Sequence, residues 1–390
     1  MDNDGTYRSG AELRVLIVGG GIAGLTLGAL LRQRGCRPVI VEWSHHYDRA
    51  GYVLGLLPVG GRILEGLGLY QRFEAVGVPL DCYNVADGGG RVLKSYNFES
   101  FSRVYGSMLL VHRADLLRLL REGLDDVAVR MGVTVERIDQ RGDSVAATFS
   151  DSTSEEFDLV AGADGLRSRV RELIFGKVPL HYCGFTGWGF WIKPEFTMPH
   201  AITEYWAPGR FFGIYPTKDA LACFIAESAP AGREDPVERR IERIRRDFGH
   251  LGGIVPRILA ALDRPAEMFH DDFCDLRMES WSRNRVVLAG DSAHAILPTG
   301  GVGASMAMES AAVLADELSR ADSRDLPLAL ERYERRRRKR VDRIQSQSRL
   351  LGRLALVNSS ALSALRNQLI KLYSANAAVK YWRRILTELI

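Results

Sequence analysis

Two glycine-rich turns, each lying between a strand-like and a helix-like segment, most constrain the fold of this chain. The first is "RVLIVGGGIAGLTLGALL", from Arg14 to Leu31, and the second is "RVVLAGDSAHAILPTGGVGASMAMES", from Arg285 to Ser310. In both, a short apolar run predicts a buried strand, and the small residues beyond the glycines predict a helix. Strands that alternate with helices in this way indicate an α/β fold.

The first turn has the spacing of a dinucleotide-binding site. Gly19, Gly21 and Gly24 form G-x-G-x-x-G directly after the predicted strand Val15–Val18, which permits a tight turn and close approach of a pyrophosphate to a helix N-terminus. Glu42, at the end of the next strand, could accept hydrogen bonds from a ribose and would repel a 2′-phosphate, which disfavours NADP here. This turn alone does not separate NAD from FAD, and a tight turn without a ligand is the alternative.

The second turn favours FAD over NAD as the cofactor. FAD is the longer molecule, and its ribityl chain and isoalloxazine must be held beyond the adenosine half. Asp291 could accept hydrogen bonds from ribityl hydroxyls, and the loop from Pro298 to Gly303 leaves the first N–H groups of the next helix free. Those groups would face the flavin edge that becomes anionic on reduction. The pair of turns therefore predicts FAD.

Composition limits the other classes of function. The 390 residues are 46% hydrophobic and 26% charged, which is typical of a soluble globular protein, and the net charge of +4 is too small to indicate nucleic-acid binding. Five scattered cysteines predict neither disulfides nor a zinc site. The polar first residues and the glycine-broken apolar run predict no signal peptide or transmembrane segment. We therefore expect a cytoplasmic protein without a metal site or a nucleic-acid partner.

A stretch rich in aromatic residues and strands interrupts the α/β pattern and predicts a second domain. Residues 1–178 are predicted to form the first part of the cofactor-binding domain, although some strands near 80–110 are assigned to the second domain. Residues 179–276 are predicted to form a substrate-binding β-sheet domain, 277–335 the second part of the cofactor-binding domain, and 336–390 the C-terminal helices.

Three motifs occur in a fixed order over nearly the whole chain: "GGGIAG" at Gly19–Gly24, "AGADGLRSRVR" at Ala161–Arg171, and "AGDSAH" with "PTGGVG" at Ala289–Gly303. Together they resemble the single-component flavoprotein aromatic hydroxylases of the para-hydroxybenzoate hydroxylase class. The resemblance implies a Rossmann-like FAD-binding domain of the glutathione-reductase type, with an inserted β-sheet substrate domain and C-terminal helices. Many relatives have Gln where this chain has Val302, so no polar role is assigned to that position.

The same resemblance implies an activity. It implies an NADPH- or NADH-consuming monooxygenase that hydroxylates an aromatic, polyketide or heterocyclic small molecule with O2 through a C4a-hydroperoxyflavin. It also implies that Asp164 helps to position FAD and the pyridine nucleotide, and that Arg49 and Arg113 contact the FAD. The hydroperoxide is itself the electrophile, so no catalytic side chain is assigned, and a monomer or homodimer is expected. The predicted cofactor-binding residues are Gly19, Gly21, Ile22, Ala23, Gly24, Glu42, Arg49, Arg113, Asp164, Gly290, Asp291, Pro298, Gly301, Gly303, Ala304 and Ser305.

Other flavoprotein functions remain as alternatives. These are a flavin-dependent epoxidase, oxidase or halogenase acting on a secondary-metabolite intermediate, and a flavin-binding protein without redox activity. The W-x-W-x-I-P signature of halogenases is not met, because Trp188 and Trp191 are three positions apart. The presence of Glu42, Asp164 and Asp291 argues against a decayed, redox-inactive site.

Strand periodicity gives a prediction for the substrate pocket. Alternate residues of a strand share a face, so Trp188 and Phe190 project opposite to Trp191 and Lys193. We expect the Trp188 and Phe190 face to cover the flavin, because a charged Lys193 suits solvent and an aromatic substrate needs apolar walls. Packing of these rings in the core of the second domain is the alternative. Further candidates for the pocket are Tyr205, Phe212 and Tyr215.

A basic run and a histidine are predicted to have structural roles. The basic run Arg335–Arg340 is predicted to be a solvated helix face, with Glu331 and Glu334 as partners one turn away. His294 lies inside the second turn and is predicted to order the loop rather than to transfer protons.

Overall fold

The computed structural model describes residues 12–47, 52–193, 201–374 and 383–385. The strands are β1 Val15–Val18, β2 Val39–Glu42, β3 Val53–Leu56, β4 Val78–Pro79, β5 Cys82–Asp87, β6 Val92–Asn97, β7 Leu109–His112, β8 Val129–Met131, β9 Val135–Arg141, β10 Ser144–Phe149, β11 Ser154–Phe157, β12 Leu159–Gly162, β13 His181–Ile192, β14 Ala201–Ala207, β15 Arg210–Pro216, β16 Leu221–Ser228, β17 Phe269–Asp275, β18 Ser282–Arg283 and β19 Val286–Leu288. The helices are α1 Ile22–Gln33, α2 Pro58–Gly66, α3 Tyr70–Val76, α4 Glu99–Tyr105, α5 Arg113–Glu122, α6 Arg169–Phe175, α7 Val237–Phe248, α8 Val255–Ala260, α9 Asp291–His294, α10 Gly303–Ser319, α11 Leu326–Ala355 and α12 Ser360–Leu372.

A six-stranded sheet organises the cofactor-binding half, with strand order β18-β19-β12-β1-β2-β8. All neighbours pair in parallel except β18 and β19. The residues of β1, β12 and β19 are all buried, as expected for strands covered by other elements on both sides. Helices α1 and α10 pack against each other beside this sheet. The predicted α/β fold is confirmed.

A seven-stranded sheet forms the second large layer, in the order β17-β13-β16-β15-β14-β5-β6. Its strands pair antiparallel, apart from the parallel pair of β14 and β5. Strands β5 and β6 come from the first hundred residues of the chain, so this sheet combines distant segments. Residues of α7 and α8 join its apolar core on one side. Two three-stranded sheets, β11-β10-β9 and β3-β7-β4, complete the strand topology of the described residues.

The long helix α11 contains 30 residues and crosses from one part of the molecule to another. It runs without a break through residues 335 and 336, where the sequence-based division between cofactor-binding domain and C-terminal helices falls. Near its start, Tyr333 is fully buried in the core of the cofactor-binding half. Near its end, Ala355 packs with residues of the seven-stranded sheet. One helix therefore contacts both layers.

Candidate active site

Four segments singled out in the sequence end side by side along one edge of the parallel sheet. In the order β19, β12, β1, β2, these strands lead into Ala289, Ala163, Gly19 and Trp43. Backbone hydrogen bonds continue past the strand ends: Ala289 N donates to Gly162 O at 2.9 Å, and Ala163 N donates to Val18 O at 2.7 Å. The carboxyl edge of a parallel sheet is where ligands of open α/β folds bind.

The glycines of the first turn serve two different purposes. Gly19 has a φ of +111°, and a Cβ there would lie 2.4 Å from the carbonyl oxygen of Ala163. A Cβ on Gly24 would lie 1.9 Å from Gly19 O, so this glycine permits close packing of helix on strand. A Cβ on Gly21, in contrast, would meet nothing within 4 Å. The space beside Gly21 is therefore open for a ligand.

Helix α1 starts beside this open space with Gly21 as its N-cap. Gly21 supplies no side-chain cap, and the first turn of α1 carries no acidic residue. The first backbone bond runs from Leu25 N to Gly21 O at 2.9 Å. The N–H groups of Ile22, Ala23 and Gly24 precede it, and such groups together with the helix dipole attract a phosphate. This terminus could hold a pyrophosphate.

Glu42 anchors the first turn through backbone donors. Its Oε2 accepts from Gly20 N at 2.6 Å and its Oε1 accepts from Ser44 N at 2.9 Å. A carboxylate has about four acceptor sites, so both oxygens retain capacity for a ligand hydroxyl. The ribose contact expected from the sequence therefore stays a prediction that the geometry permits.

The second turn lies directly against the first. Gly290 has a φ of +65°, and a Cβ there would lie 2.9 Å from the Cβ of Ala23 on α1. This glycine brings the start of α9 against the start of α1. Asp291, the next residue, is solvent-accessible although protein surrounds its carboxyl group, so it lies on the floor of a cleft. Burial raises the pKa of Asp291 to about 6, and the charge of Arg113 opposes that rise.

Arg113 and Tyr52 complete this part of the cleft. The Arg113 guanidinium lies over the Tyr52 ring, 5.3 Å from its centroid, and Arg113 N donates to Tyr52 O at 2.9 Å. Burial raises the pKa of Tyr52, which Arg113 lowers and Asp291 raises. No sequence motif marks Tyr52, so its position beside Arg113 in the cleft was not predicted. Arg49, the other predicted contact, lies outside the described residues.

Helix α10 presents a second helix N-terminus without a cap. Its N-cap, Val302, is buried and supplies no side-chain cap, and the first backbone bond of the helix runs from Met306 N to Val302 O at 3.0 Å. A Cβ on Gly301 or on Gly303 would meet nothing within 4 Å. The N–H groups of the first turn could therefore face a ligand, as predicted for the flavin edge.

Some predicted contacts are already used by the scaffold. Ser305 is fully buried and its hydroxyl oxygen accepts from Leu57 N at 3.0 Å, so this side chain holds α10 to the segment before α2. Gly303 and Ala304 lie beside it at the start of α10, whereas Pro298 is exposed in a short 3-10 turn.

Asp164 binds the start of the helix that follows it, α6, whose N-cap is Ser168. Its Oδ1 accepts from Ser168 Oγ at 2.5 Å and its Oδ2 accepts from Val170 N at 3.0 Å. Burial raises the pKa of Asp164, and these two hydrogen bonds oppose that rise. Arg171 then donates from its guanidinium to Ser292 O at 3.1 Å. The middle motif therefore joins β12 to the second turn, and contact with a cofactor stays a prediction for Asp164.

The basic run on α11 is only partly solvated, which corrects the sequence-based expectation. Arg337 and Arg340 are buried and form ion pairs with Glu309 of α10, each at 2.7 Å. Arg338 does pair with Glu334 one turn away, as predicted. Spacing within one helix could not reveal Glu309, because its contact with α11 arises only when the two successive helices α10 and α11 pack against each other.

His294 belongs to the same buried network. Its Nε2 lies 2.9 Å from Ser310 Oγ, and Ser310 Oγ accepts from Arg337 Nε at 3.2 Å. Burial lowers the pKa of His294 to about 3, and Arg337 lowers it further. The imidazole is therefore neutral at physiological pH, consistent with an ordering role for the loop.

The seven-stranded sheet has two chemically different sides. We define the helix face by Trp188, Phe190, Tyr205 and Phe212, which are at most 5% exposed and pack with residues of α7 and α8. Trp188 Nε1 also donates to the buried carboxylate of Asp235 at 2.8 Å. This packing contradicts the expectation that Trp188 and Phe190 cover the flavin, and it removes Tyr205 and Phe212 from the candidate pocket as well. These rings form the core of the second layer.

The opposite side of this sheet is turned towards the cleft. We define this cleft face by Tyr83, Trp191, Glu204, Tyr215, Phe224 and Phe273, all of which are partly exposed. Trp191 stacks on His112, next to Arg113, with ring centroids 4.6 Å apart. Phe273 and Phe224 belong to an apolar cluster with Leu297 of the second turn. Of the predicted substrate residues, the structure places only Tyr215 on this face.

The sequence also contains a signal that favours the opposite side of β13 as the ligand-facing side. Gly187 and Gly189 alternate with Trp188 and Phe190, so the glycines project towards the cleft. A Cβ on Gly189 would meet only Phe269, at 3.7 Å. Glycines within a strand mark places where a ligand or another backbone approaches closely. Lys193, whose charge favoured the other side in the sequence analysis, lies just beyond the end of β13.

The described residues contain neither a membrane-spanning helix nor a cluster of metal ligands. No helix in the described ranges is long and apolar enough to cross a membrane. Among the same residues, no group of three or more His, Cys, Asp or Glu side chains is placed to hold a metal ion.

Known proteins are similar to this chain over nearly its whole length. The family model of the FAD-binding domain matches residues 12–348. The 2-heptyl-3-hydroxy-4(1H)-quinolone synthase of Pseudomonas aeruginosa is 29% identical over 379 residues, covering 96% of this chain and 98% of that protein. The 3-amino-4-hydroxybenzoate 2-monooxygenase of Streptomyces cremeus is 31% identical over 313 residues, covering 78% of each. Klebsiella pneumoniae HpxO, in its complex with FAD and uric acid, has a similar fold, with a TM-score of 0.88, 24% identity and coverage of 96% of this chain and 97% of that one.

Proposed function

This chain belongs to the FAD-binding-domain family and is a flavoprotein monooxygenase, and from that premise we propose that it hydroxylates a small aromatic or heterocyclic molecule with NADPH or NADH as reductant. The observation that carries this proposal is the opposition of two surfaces. The row of glycine turns at the sheet edge provides a place for FAD, and the partly exposed aromatic cleft face provides walls for a substrate.

The residues around the cleft fit FAD. We assign its pyrophosphate to the N-terminus of α1, a ribose to Glu42, the ribityl chain to Asp291, and the flavin edge to the N-terminus of α10. Open space beside Gly21, Gly301 and Gly303 supports this assignment, because a Cβ at each would meet nothing within 4 Å. Two helices without side-chain caps would otherwise leave backbone donors without partners.

Bound FAD supplies hydride acceptance and O2 activation. The tasks of the protein are then to hold, to orient and to exclude water. The positive end of the α10 dipole favours an anionic reduced flavin edge, and the aromatic rings of the cleft face orient a flat substrate and displace water. Tyr215 and Tyr83 bring hydroxyl groups to the same surface.

The relatives support the substrate class. The names of two of them contain a quinolone and an aminohydroxybenzoate, which are a heterocycle and a substituted aromatic ring. A chamber walled by Trp191, Phe224 and Phe273 suits molecules of this kind.

The experiment is an oxygen-labelling assay on purified protein loaded with FAD. Aromatic and heterocyclic compounds are screened for faster NADPH or NADH consumption, and products of the active ones are analysed after reaction under 18O2. We expect one atom of 18O in the product for each molecule of reductant consumed. Release of H2O2 without labelled product would indicate an oxidase, and absence of any stimulated reductant consumption would indicate a redox-inactive flavoprotein.

A further inference from the structure

Glu204 is a carboxylate on the cleft face that the activity described above does not use. It lies on β14 between Thr203 and Tyr205, which project to the opposite side of the sheet. Its Oε2 accepts from the Tyr83 hydroxyl at 2.5 Å and from Trp206 Nε1 at 3.0 Å. Its Oε1 accepts from the Tyr215 hydroxyl at 3.2 Å.

The donors to Glu204 are two phenols and an indole, and none of them is charged. Other buried carboxylates of this protein, such as Glu309 and Asp235, are each paired with two arginines. A carboxylate surrounded by aromatic rings without a cation is costly, because neutral hydrogen bonds replace only part of its hydration. Burial accordingly raises the pKa of Glu204, and the hydrogen bonds from Tyr83, Trp206 and Tyr215 lower it. A cation or a further hydrogen-bond donor would therefore stabilise the ionised carboxylate of Glu204.

The three protein donors leave one acceptor site of the Glu204 carboxylate for that partner. A carboxylate offers about four acceptor sites, and the three protein donors occupy two sites on Oε2 and one on Oε1. Although protein surrounds Glu204, the side chain is partly accessible. The fourth acceptor site, on Oε1, is the one that a ligand on the cleft face would use.

The sheet register places aromatic walls next to this site. Glu204 is opposite Gly213, Gly213 is opposite Phe224, and Phe224 is opposite Gly189, so these residues form one row across the sheet. A Cβ on Gly213 would lie 2.5 Å from the Tyr215 hydroxyl, so this glycine makes the space in which Tyr215 reaches Glu204. The Tyr215 ring fills that space, and Phe224 lies next to Gly213 on the following strand, so two aromatic rings stand beside the carboxylate on this face.

We propose that Glu204 is the specificity-determining anchor of the substrate chamber, and that it accepts a hydrogen bond from a nitrogen-bound proton of the aromatic substrate. The chamber thereby selects aromatic amines, N–H heterocycles and their cations, and it rejects aromatic carboxylates. A carboxylate beside aromatic faces attracts an N–H group or a cation through both charge and ring quadrupole, whereas an anion placed there is repelled. This inference rests on the proposed function, because it assumes that the substrate occupies the cleft face.

The test compares ligands that differ only in the proton donor. Indole and benzofuran form one pair, carbazole and dibenzofuran form a larger pair, and benzoate is the anionic probe. Dissociation constants are measured on the FAD-loaded protein from changes in flavin absorbance and by calorimetry. We expect the N–H member of at least one pair to bind about tenfold more tightly than its oxygen analogue, and benzoate to bind more weakly than either.

Variants on the same strand then separate the two sides of the sheet. Glu204→Met is expected to abolish the N–H preference, and Glu204→Gln is expected to strengthen benzoate binding by removing the negative charge. Thr203→Val, which alters the adjacent residue on the opposite side, is the matched control and is expected to leave both preferences unchanged. FAD content reports whether each variant is folded, and the comparison of ligand pairs on the unaltered protein does not depend on any variant.

The outcomes distinguish this inference from the proposed function. Equal binding of N–H and oxygen analogues, absence of binding by every N–H probe at millimolar concentration, or preferential binding of benzoate would each overturn the role of Glu204. Any of these results together with 18O incorporation into another product would leave the monooxygenase proposal intact. Failure of stimulated reductant consumption would instead count against the proposed function.

Discussion

Trp191 and His112 stack with their ring centroids 4.6 Å apart and their planes inclined by 17°. This contact joins the seven-stranded sheet to the start of α5, where Arg113 reaches the cleft. Trp188, three residues earlier on the same strand, projects to the other side and packs beneath α7. The two sides of β13 therefore differ in role, with one forming a protein core and the other a wall of the cleft.

This difference can be measured with two phenylalanine variants. Phe190→Ala is expected to lower the free energy of unfolding by about 3 to 5 kcal/mol, because it creates a cavity in the helix-face core, while substrate KM and coupling of reductant to product stay unchanged. Phe224→Ala is expected to raise KM or increase H2O2 release. Thermal unfolding and the ratio of product to NADPH check both. A changed coupling ratio in the Phe190 variant at normal stability would place the pocket on the helix face.

Substitutions of two glycines of the first turn are expected to have different effects, one on FAD affinity and the other on the stability of the FAD-free protein. Gly21→Ala places a Cβ in open space at a residue with a φ of −78°, so unfolding of the FAD-free protein is expected to be unaffected while FAD affinity falls. Gly24→Ala directs a Cβ to within 1.9 Å of Gly19 O and is expected to destabilise the FAD-free protein itself. Gly66→Ala, where a Cβ also meets nothing within 4 Å, is the control. Normal FAD retention by the Gly21 variant would show that the cradle lies elsewhere.

The ionised carboxylate of Asp291 is expected to destabilise the FAD-free protein. Because the pKa of Asp291 in the folded protein is raised to about 6, the folded state binds more protons than the unfolded state between about pH 4 and 6. This group therefore makes the FAD-free protein less stable as pH rises through that window. Asp291→Asn is expected to raise the Tm of the FAD-free protein at pH 7.5, with a difference that shrinks towards pH 5.

The same carboxylate has an opposite expected effect on FAD. Asp291→Ala is expected to weaken FAD binding by about 1 to 3 kcal/mol, because ribityl hydroxyls lose their acceptor. Equilibrium dialysis of FAD measures this loss, and Asp263→Ala, at a largely exposed side chain, is the control. Unchanged FAD affinity in the Asp291 variant would remove the residue from the proposed cofactor site.

Glu309 is expected to be a structural residue of the same network that orders His294. Glu309→Gln leaves Arg337 and Arg340 buried without their counter-charge, and we expect a loss of about 3 to 5 kcal/mol in the free energy of unfolding. Arginine holds the pKa of Glu309 below its usual value against the opposing effect of burial, so this contribution is present at neutral pH and lost as pH falls through the lowered pKa. Denaturant unfolding against pH tests it, with the exposed Glu331→Gln as control. Equal stabilities of the two variants would contradict the prediction.

The sequence by itself determined the cofactor-binding half to a large extent. Strand β1 has the predicted bounds, Val15–Val18, and a helix, α1, follows the glycine turn as predicted. Such agreement is possible because a strand, a glycine turn and a helix are local, and because a residue with a Cβ does not fit at Gly19 or Gly24. The order of the three motifs along the chain also identified the family.

Only the tertiary structure decided which side of the second sheet meets the cleft. Alternation along β13 correctly separates Trp188 from Trp191, but the choice between the two sides depends on where α7, α8 and the second turn pack. The contact of Arg337 with Glu309 joins two helices, and the contact of Glu204 with Tyr83 joins two strands 121 residues apart in the chain, so no spacing within one element encodes them. Burial, which changes both the charge and the accessibility of a side chain, exists only after those segments have come together.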